Sequence, residues 1–511
     1  MNWKIIGKSL SHKDMRNRIL AVLGILLVFR VLAHIPVPLG DTETLKQVLD
    51  NLFTQAQTTE LLGFLNVLSG GALANFSIML VGLGPYINAS IIMQLLTRAI
   101  PKLETLNKEG EFGRKKINQY TRMLTFPLAI VESIGAIYLI RASAQQIGGL
   151  GDITANADFA RWALMVAALT GGAMMLMWMG ELITERGIGN GISLLITVGI
   201  VSSLPGLITQ LFNNIYWRGG DSADKLTAIG REFSERGLII ITSVALATVA
   251  VTWAVVKLNE ASRRLTVNYA KRIQGNRVYG GVTTVLPVKL ITAGVIPIIF
   301  ALAFLSIPSF IGQLLTHGQG VNMTDPTTTL EQIGVQLSTW FQTPSAQTFA
   351  QGGWEPWIYP ITYFFLVVLF TFFYTGVSFN AKDIAENLQK QGGFIENVRS
   401  GLQTEKFLRT TVNRLTLFGS VALGLLAVMP IIGQVYIDQN IAIGGTSILI
   451  LVSVALETMR QVESKALMIT YDQYEEPDFF YEPAPGGTAA RRLRIKPRIP
   501  TRLKRKKDKP E

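Results

Sequence analysis

Long runs of apolar residues recur along the whole chain and are separated by polar or charged segments. A helix needs about 20 apolar residues to cross a bilayer, and each of these runs is close to that length. The pattern therefore predicts an all-α polytopic membrane protein with ten transmembrane helices. The predicted spans are 17–35, 76–97, 119–141, 161–182, 192–212, 237–257, 289–309, 357–378, 408–429 and 444–466.

The segments between the predicted spans alternate in their content of Lys and Arg, which indicates their side of the membrane. The basic set comprises 1–16, 98–118, 257–289, 380–406 and the C-terminal residues. The set with almost no positive charge comprises 36–75, 309–356 and 431–443. Basic segments stay on the cytoplasmic side, so both termini are expected there. The first apolar run is not followed by a small-residue cleavage site and is interpreted as a retained helix.

The ten predicted spans divide into two halves of five. An odd number of spans per half gives the halves opposite orientations and permits an inverted repeat. The expected layout is a basic cytoplasmic N-terminus (1–16), a first half (17–213), an external hinge loop (214–236), a second half (237–470) and a cytoplasmic tail (471–511).

The tail carries most of the net charge of the chain. Residues 491–511 hold eleven Lys or Arg against two acidic residues, whereas the formal net charge of the whole chain is +12. Such a composition predicts disorder. It also predicts attraction to anionic lipids, with ribosomal RNA as the alternative partner.

The composition excludes several kinds of chemistry. Only 16% of the residues are charged, against about a quarter in soluble domains. The chain has no cysteine, which excludes disulfides, thiolate metal sites and cysteine nucleophiles. Its three histidines (His12, His34 and His317) lie far apart, and no H-E-x-x-H motif occurs. No metal, cofactor or catalytic activity is expected.

The predicted spans contain few ionisable residues. Arg30 and Glu132 are the clearest exceptions, and Glu181 and Glu457 lie nearer the cytoplasmic ends. Arg30 is expected to extend its guanidinium to the interface. Glu132 is expected to accept a hydrogen bond from a neighbouring helix.

Two other functions remain open at this point. A secondary transporter of small solutes is the stronger alternative, although such proteins place ion-relay residues within their spans. An intramembrane hydrolase using Ser447 of "GGTS" is the weaker one, because no histidine lies in a span to serve as the base.

The stretch "GFLNVLSGGALAN", Gly63–Asn75, precedes the second predicted span. It is too short and too interrupted to cross lipid, yet too apolar for an ordinary loop. Irregular backbone at membrane depth is tolerated where it lines a protein cavity. The segment is therefore expected to fold back inside the protein.

Seven long stretches together carry a family resemblance. They are "HIPVPLG", "NVLSGGALANFSIMLVGLGPYINASIIMQLLT", "LMWMGELITERGIGNGISLL", "VNYAKRIQGNRVYGG", "LPVKLITAGVIPIIFA", "FYTGVSFNAKDIAENLQKQGGFI" and "GGTSILILVSVALET". In this order they resemble the SecY family, the channel subunits of the Sec protein translocase. The resemblance covers roughly residues 15–475.

The resemblance implies two inverted five-helix halves that close around a central pore. It implies a channel in the bacterial inner membrane that translocates unfolded, signal-bearing preproteins and releases apolar segments sideways between the second and seventh spans. The implied partners are the small subunits SecE and SecG, the SecA ATPase and the ribosome.

The resemblance also assigns residues to the pore. The segment before the second span becomes a plug half-helix, at about 63–75, with Phe64, Leu65, Val67, Leu68, Ser69, Gly70 and Gly71. A constriction ring of aliphatic side chains maps onto Leu83, Ile87, Ile192, Ile196, Ile299 and Ile450.

The lateral gate maps onto Asn88, Gln94, Ile291 and Thr292. The family usually has asparagine at the position of Ile291 and serine at that of Asn88. We hypothesise that Asn88, Gln94 and Thr292 form a gate cluster with the asparagine moved to the other helix.

The basic loops become the face that binds the motor or the ribosome. Their implied contact residues are Arg263, Arg264, Lys271, Arg272, Lys382, Lys390 and Arg399. Around Arg399 the family commonly has proline and glycine where this chain has Glu396, Asn397 and Ser400.

Overall fold

The fold is known from a computed structural model of the chain. The structure describes residues 13–37, 72, 76–146, 158–186, 189–213, 225–228, 231–269, 272–274, 277–279, 281, 283–292, 294, 296–317, 329–341, 344, 348–349, 352–436 and 441–471. The proposed plug residues from Phe64 to Gly71 and the basic tail lie outside the described residues.

Helices dominate both halves of the chain. The helices of the first half are α1 (Lys13–Leu32), α2 (Gly84–Ala99), α3 (Pro101–Lys108), α4 (Glu111–Gln146), α5 (Phe159–Arg186) and α6 (Gly191–Asn213). Those of the second half are α7 (Glu235–Glu260), α8 (Ile296–His317), α9 (Thr329–Trp340), α10 (Ile358–Ser378), α11 (Ala381–Lys390), α12 (Leu402–Tyr436) and α13 (Ile441–Tyr471).

A helix overlaps each of the ten predicted spans. Within the part of the chain that the structure describes, four helices are long and apolar enough to cross a membrane, over Phe159–Arg186, Ile241–Glu260, Glu355–Lys390 and Leu402–Gly433. Gly191–Ser202 and Ile296–Gly312 are shorter apolar helices. The ten-span layout therefore stays a prediction.

The second predicted span was placed too early. Its helix, α2, begins at Gly84 rather than at Phe76. Phe76 and Gly82 have positive φ angles of 43° and 66°, so the backbone turns there instead of continuing a helix. The Ile78 amide donates to the Ile35 carbonyl at 3.0 Å, which ties this turn to the end of α1.

The seventh predicted span was also placed too early. Residues up to Lys289 belong to a strand, and α8 begins at Ile296. Gly294, with a φ of 63°, turns the chain between the two. Ile291 and Thr292 therefore lie in the link before α8, and not on the helix as expected.

The mostly helical fold also contains short strands, which lie in the loops between the helices. Short strands occur at β1 (Lys225–Ala228), β2 (Arg231–Ser234), β3 (Ser262–Tyr269), β4 (Arg272–Gln274), β5 (Arg277–Tyr279), β6 (Thr283–Lys289) and β7 (Gly393–Ile395). Strand β3 pairs antiparallel with both β6 and β7, so that β6, β3 and β7 form one sheet. Loops that are more than 100 residues apart in sequence thereby become one body.

The helices pack around one apolar core. A single cluster of buried side chains draws on α1, α2, α5, α6, α7, α8, α10, α12 and α13. The two halves meet where α8 contacts α2 and α4, and where α13 contacts α6. A second, smaller cluster lies under the loop sheet and combines β3, β6, β7, α11 and α12.

Candidate functional site

The six side chains of the predicted ring all belong to, or pack against, one large apolar cluster. Leu83 immediately precedes α2 and Ile87 lies in its first turns, while α6, α8 and α13 supply the others. Five of the six are buried members of one apolar cluster, and Ile192 packs against that cluster. Leu83 and Ile196 are only 2% and 1% exposed. Four helices from both halves thus contribute branched aliphatic side chains to one place.

Two glycines allow the helices that carry this cluster to approach their neighbours. Gly191 begins α6, and a β-carbon built on it would lie 1.8 Å from the Gly180 carbonyl oxygen of α5. No side chain fits there, so glycine is required for the close packing of α5 against α6. Gly84 begins α2, and a β-carbon there would lie 2.8 Å from Glu132 Oε2. A side chain is therefore excluded at the start of α6 by backbone, whereas at the start of α2 it would have to displace the end of the Glu132 side chain.

Asn88 and Glu132 join α2 to α4. Asn88 Nδ2 donates to Glu132 Oε1 at 2.8 Å, which confirms the predicted helix–helix hydrogen bond of Glu132. The carboxylate also lies against Gly84, in the first turn of α2. Glu132 therefore positions the helix that carries Leu83 and Ile87.

The remaining predicted gate residues are not joined to this pair. Gln94 Nε2 donates to Ser90 Oγ at 3.1 Å within α2. Thr292 Oγ1 is buried without a hydrogen-bond partner. Ile291 is buried, and a β-carbon on Gly419 of α12 would lie 3.3 Å from its Cγ1. In this structure the polar groups of Asn88, Gln94 and Thr292 are thus not hydrogen-bonded to one another.

A cavity of about 300 Å³ lies beside the aliphatic cluster. Ile87, Ile192 and Ile299 line its apolar part. The polar part of its lining includes Ser90, Gln94, Asn118, Arg122, Glu181 and Asn190. The cavity therefore has an apolar part formed by three of the predicted ring residues and a polar part formed by other side chains.

An ion pair joins α4 to α5 at the wall of this cavity. Arg122 Nε donates to Glu181 Oε1 at 2.8 Å, and Arg122 Nη2 lies 2.6 Å from Glu181 Oε2. One hydrogen bond and the close approach of opposite charges therefore join the two helices at this point.

The predicted cationic contact residues lie on the loop sheet and around it. Arg263 and Arg264 are exposed on β3, Lys382 and Lys390 are exposed on α11, and Arg399 is exposed between β7 and α12. Arg272 begins β4, whereas Lys271 lies outside the described residues. Because β3 pairs with β7, both basic loops present their charge from one surface, here called the loop platform (262–289 and 380–406).

Sequence reasoning missed the C-terminal half of α13 as a junction. The Gly189 amide, in the turn between α5 and α6, donates to Gln461 Oε1 at 3.0 Å. Both Arg460 Nη atoms donate to the Asn259 carbonyl at 3.2 Å, at the root of the loop platform. The glycines of "ERGIGNGIS" indicate a turn, but nothing near them in sequence indicates a partner 272 residues away.

Comparison with known proteins decides the family. A family model described as SecY matches residues 77–459. A protein translocase subunit SecY from Streptomyces coelicolor is 39% identical over 473 residues, which cover 92% of this chain and 98% of the relative. The chain belongs to the SecY family. The SecY subunit of Mycobacterium tuberculosis is 37% identical and is covered to 98%.

Solved structures agree with membership of the SecY family at the level of the fold. One protein-conducting channel aligns over 89% of this chain and 93% of its own, with a TM-score of 0.59 and 18% identity. A yeast Ssh1 complex bound to the yeast 80S ribosome aligns over 92% of this chain and 93% of its own, with a TM-score of 0.54 and 14% identity. SecY proteins form a family of translocation channels rather than of enzymes, and this chain is a multi-pass membrane protein.

Proposed function

We propose that this chain is the channel subunit through which unfolded, signal-bearing preproteins cross the bacterial cytoplasmic membrane, and from which apolar segments leave sideways into lipid. The observation that carries the proposal is the aliphatic cluster built from α2, α6, α8 and α13 of the two halves. A narrow ring of such side chains resists water and ions because apolar constrictions dewet. It binds no particular sequence, so it can yield to chains of any composition.

The proposed plug, at about 63–75, is supported by Ala72, its only residue within the described part of the chain. Ala72 is fully buried and belongs to the same cluster as Leu83 and Ile87. The Ser77 amide donates to the Ala72 carbonyl at 3.0 Å. The chain that leads into α2 therefore reaches the central core, where the preceding residues 63–71 would close the channel.

The proposed lateral gate lies between α2 on one side and α8 with α10 on the other. Phe300 of α8 packs edge-to-face on Phe370 and Tyr374 of α10, with ring centroids 6.0 and 6.4 Å apart. These aromatic contacts make α8 and α10 one side of the gate. Asn88 and Gln94 lie on the opposite side, on α2, and are proposed to set its closed position.

The loop platform is the proposed docking surface for the SecA ATPase or for a ribosome. Its exposed cations suit acidic protein surfaces and RNA phosphates, where attraction is strong and salt-sensitive. The ribosome-bound Ssh1 complex, which shares the fold, supports a ribosomal partner. SecE and SecG are the proposed small subunits, and anionic lipids are the proposed partners of the tail. Both termini are proposed to be cytoplasmic.

The decisive experiment uses the purified chain in liposomes with SecE, SecG and SecA. An unfolded signal-bearing precursor is expected to become protease-protected when ATP is added. Arg399→Glu is expected to abolish protection, because it reverses an exposed charge of the platform. Arg161→Glu, an equally exposed arginine on α5 outside the platform, is the matched control and should behave as wild type.

The outcomes separate the parts of the proposal. Protection that survives Arg399→Glu would show that this arginine does not serve docking. No protection with the unmodified chain, together with uptake of a small solute down an ion gradient, would contradict the channel and favour a transporter.

A further inference from the structure

One hydrogen bond crosses from α2 to α10 at the ends of both helices. Arg98 lies in the last turn of α2, and its Nη2 donates to the Gly376 carbonyl oxygen in the last turn of α10 at 2.5 Å. The two residues are 278 positions apart and belong to different halves of the chain.

The chemistry of a helix terminus explains why an arginine fits here. The last carbonyl groups of a helix have no partner within the helix. The Phe379 amide donates a hydrogen bond to the Thr375 carbonyl, and Gly376 carries the next carbonyl group toward the end of the helix. A cation beside a helix C-terminus also interacts favourably with the helix dipole. Arg98 thus supplies both a donor and a positive charge to the end of α10.

The position of this contact matters more than its strength. Gln94, one turn before Arg98, and Tyr374, two residues before Gly376, both line the 300 Å³ cavity beside the aliphatic cluster. Phe300 of α8 lines the same cavity. The hydrogen bond therefore spans the cleft between α2 and the α8–α10 pair, one turn outward from the cavity.

We propose that Arg98 is a latch across this cleft and helps to set how apolar a segment must be before it leaves the channel sideways. The inference rests on the lateral release proposed above. A segment that enters the cleft separates α2 from α10 and breaks the Arg98–Gly376 contact. The free energy needed to break that contact is then added to the free energy that burial of the apolar segment in lipid must supply.

The released guanidinium has a neighbouring anion. Glu104 of α3 is exposed, and its pKa is lowered chiefly by its hydrogen bond to Lys108 and, to a smaller extent, by the charge of Arg98. Lys108 Nζ lies 2.7 Å from Glu104 Oε1. An Arg98 that leaves Gly376 therefore remains beside a carboxylate, which favours a reversible latch.

The test measures membrane insertion of a graded series of 19-residue segments that differ in leucine content. Arg98→Gln removes the charge and the guanidinium fork, and is expected to raise the ratio of inserted to non-inserted marginal segment about threefold, as for an exposed charged contact. Arg98→Lys keeps the charge and should restore part of the wild-type threshold. Lys102→Gln removes an exposed cation one turn further on and should match wild type.

A reversible crosslink between α2 and α10 provides a second test of the latch. The chain has no cysteine, so Arg98→Cys with Gly376→Cys creates a unique pair. A β-carbon on Gly376 meets nothing within 4 Å, so the substitution fits. A cleavable bis-maleimide across this pair should abolish insertion, and reduction of the linker should restore it. Each single-cysteine variant, treated alike, should still insert strongly apolar segments, and Arg98→Cys should show the same lowered threshold as Arg98→Gln.

The outcomes distinguish the latch from the function on which it rests. If the unmodified chain inserts none of the segments, lateral release itself is wrong. If it inserts them, but Arg98→Gln has the same threshold as Lys102→Gln, the latch is wrong and lateral release stands. Insertion that continues through the crosslinked pair would also overturn the latch.

Discussion

At the scale of single residues, close contacts determine where two of the helices that carry the aliphatic cluster begin. Glu132 accepts a hydrogen bond from Asn88 and lies against the first turn of α2. Gly191 lets α6 start directly against the α5 backbone. Neither contact includes a ring residue, yet each determines where a ring residue lies. Substitutions at these supporting positions are therefore expected to act on the pore indirectly.

Asn88→Leu is expected to destabilise the protein by about 2 kcal/mol, because it leaves the partly buried Glu132 carboxylate without its donor. Adding Glu132→Leu should recover part of the loss, since removal of both partners is nearly neutral. Thermal unfolding of the four purified proteins in detergent measures this coupling. Additive losses would show that the pair does not interact.

The same Asn88→Leu variant tests the proposed gate role of Asn88. Weakly apolar signal segments should be accepted more readily, because α2 is held less firmly. An unchanged acceptance threshold would contradict that role.

Gly191→Ala is expected to destabilise the protein by about 1–3 kcal/mol, because the added methyl group overlaps the Gly180 carbonyl. Gly171→Ala is the matched control, since a β-carbon on that α5 residue meets nothing within 4 Å. It should be stabilising by about 0.5–1 kcal/mol, as alanine favours a helix over glycine. The unfolding temperatures of the two variants should therefore shift in opposite directions.

At the scale of elements, the loop platform is one unit because strands from separate loops pair. Val267 of β3 is paired with Ile395 of β7, and both are buried over Leu408 of α12. Alternate residues of β3 are exposed, including Arg264 and Thr266, as expected for a strand with one covered face. The sheet thus holds the cationic side chains on the outside and fixes the two loops to each other.

Ile395→Asp is expected to separate β7 from β3, because it places a charge in the small apolar cluster without a partner. Limited proteolysis should then cut within 262–289 and 380–406 at protease concentrations that leave the wild type intact. Phe394→Asp is the control, since Phe394 is 42% exposed on the other face of β7. Equal cleavage of the two variants would contradict the single-body platform.

At the scale of the whole molecule, the proposed seal draws side chains from both halves of the chain. The first half supplies Leu83, Ile87, Ile192 and Ile196 to the cluster, and the second half supplies Ile299 and Ile450. Contacts of α8 with α2 and of α13 with α6 bring the halves together. If these residues form the proposed seal, we expect opening to require the halves to separate rather than one side chain to rotate.

Ile87→Ser combined with Ile299→Ser is expected to raise the resting ion conductance about tenfold, which corresponds to about 1.4 kcal/mol in the barrier. Hydroxyl groups at the constriction keep it wet, whereas isoleucines expel water. Planar-bilayer recordings of the purified channel measure this leak. Leu246→Ser, at a position on α7 that is 74% exposed, should leave the conductance unchanged. A resting conductance equal to wild type would show that these isoleucines do not form the seal.

The hydropathy pattern and the motifs were sufficient to identify the class and the family, because both are written locally in the chain. Apolar runs indicate membrane helices wherever they occur, and long motifs need no knowledge of distant contacts. The start of α2 was misplaced for the same reason. Residues 76–83 are as apolar as a helix, but the turn at Phe76 and Gly82 comes from packing beside α1.

The sequence by itself determined that this protein is helical, apolar and without thiol chemistry, and which residues resemble the family motifs. Only the tertiary structure decided that six aliphatic side chains share one cluster, that Glu132 pairs with Asn88, and that β3 pairs with β7. It alone placed Arg98 against the end of α10. The physical reason is distance along the chain: these contacts join residues from 44 to 278 positions apart, and no local pattern of polarity encodes which partner will meet.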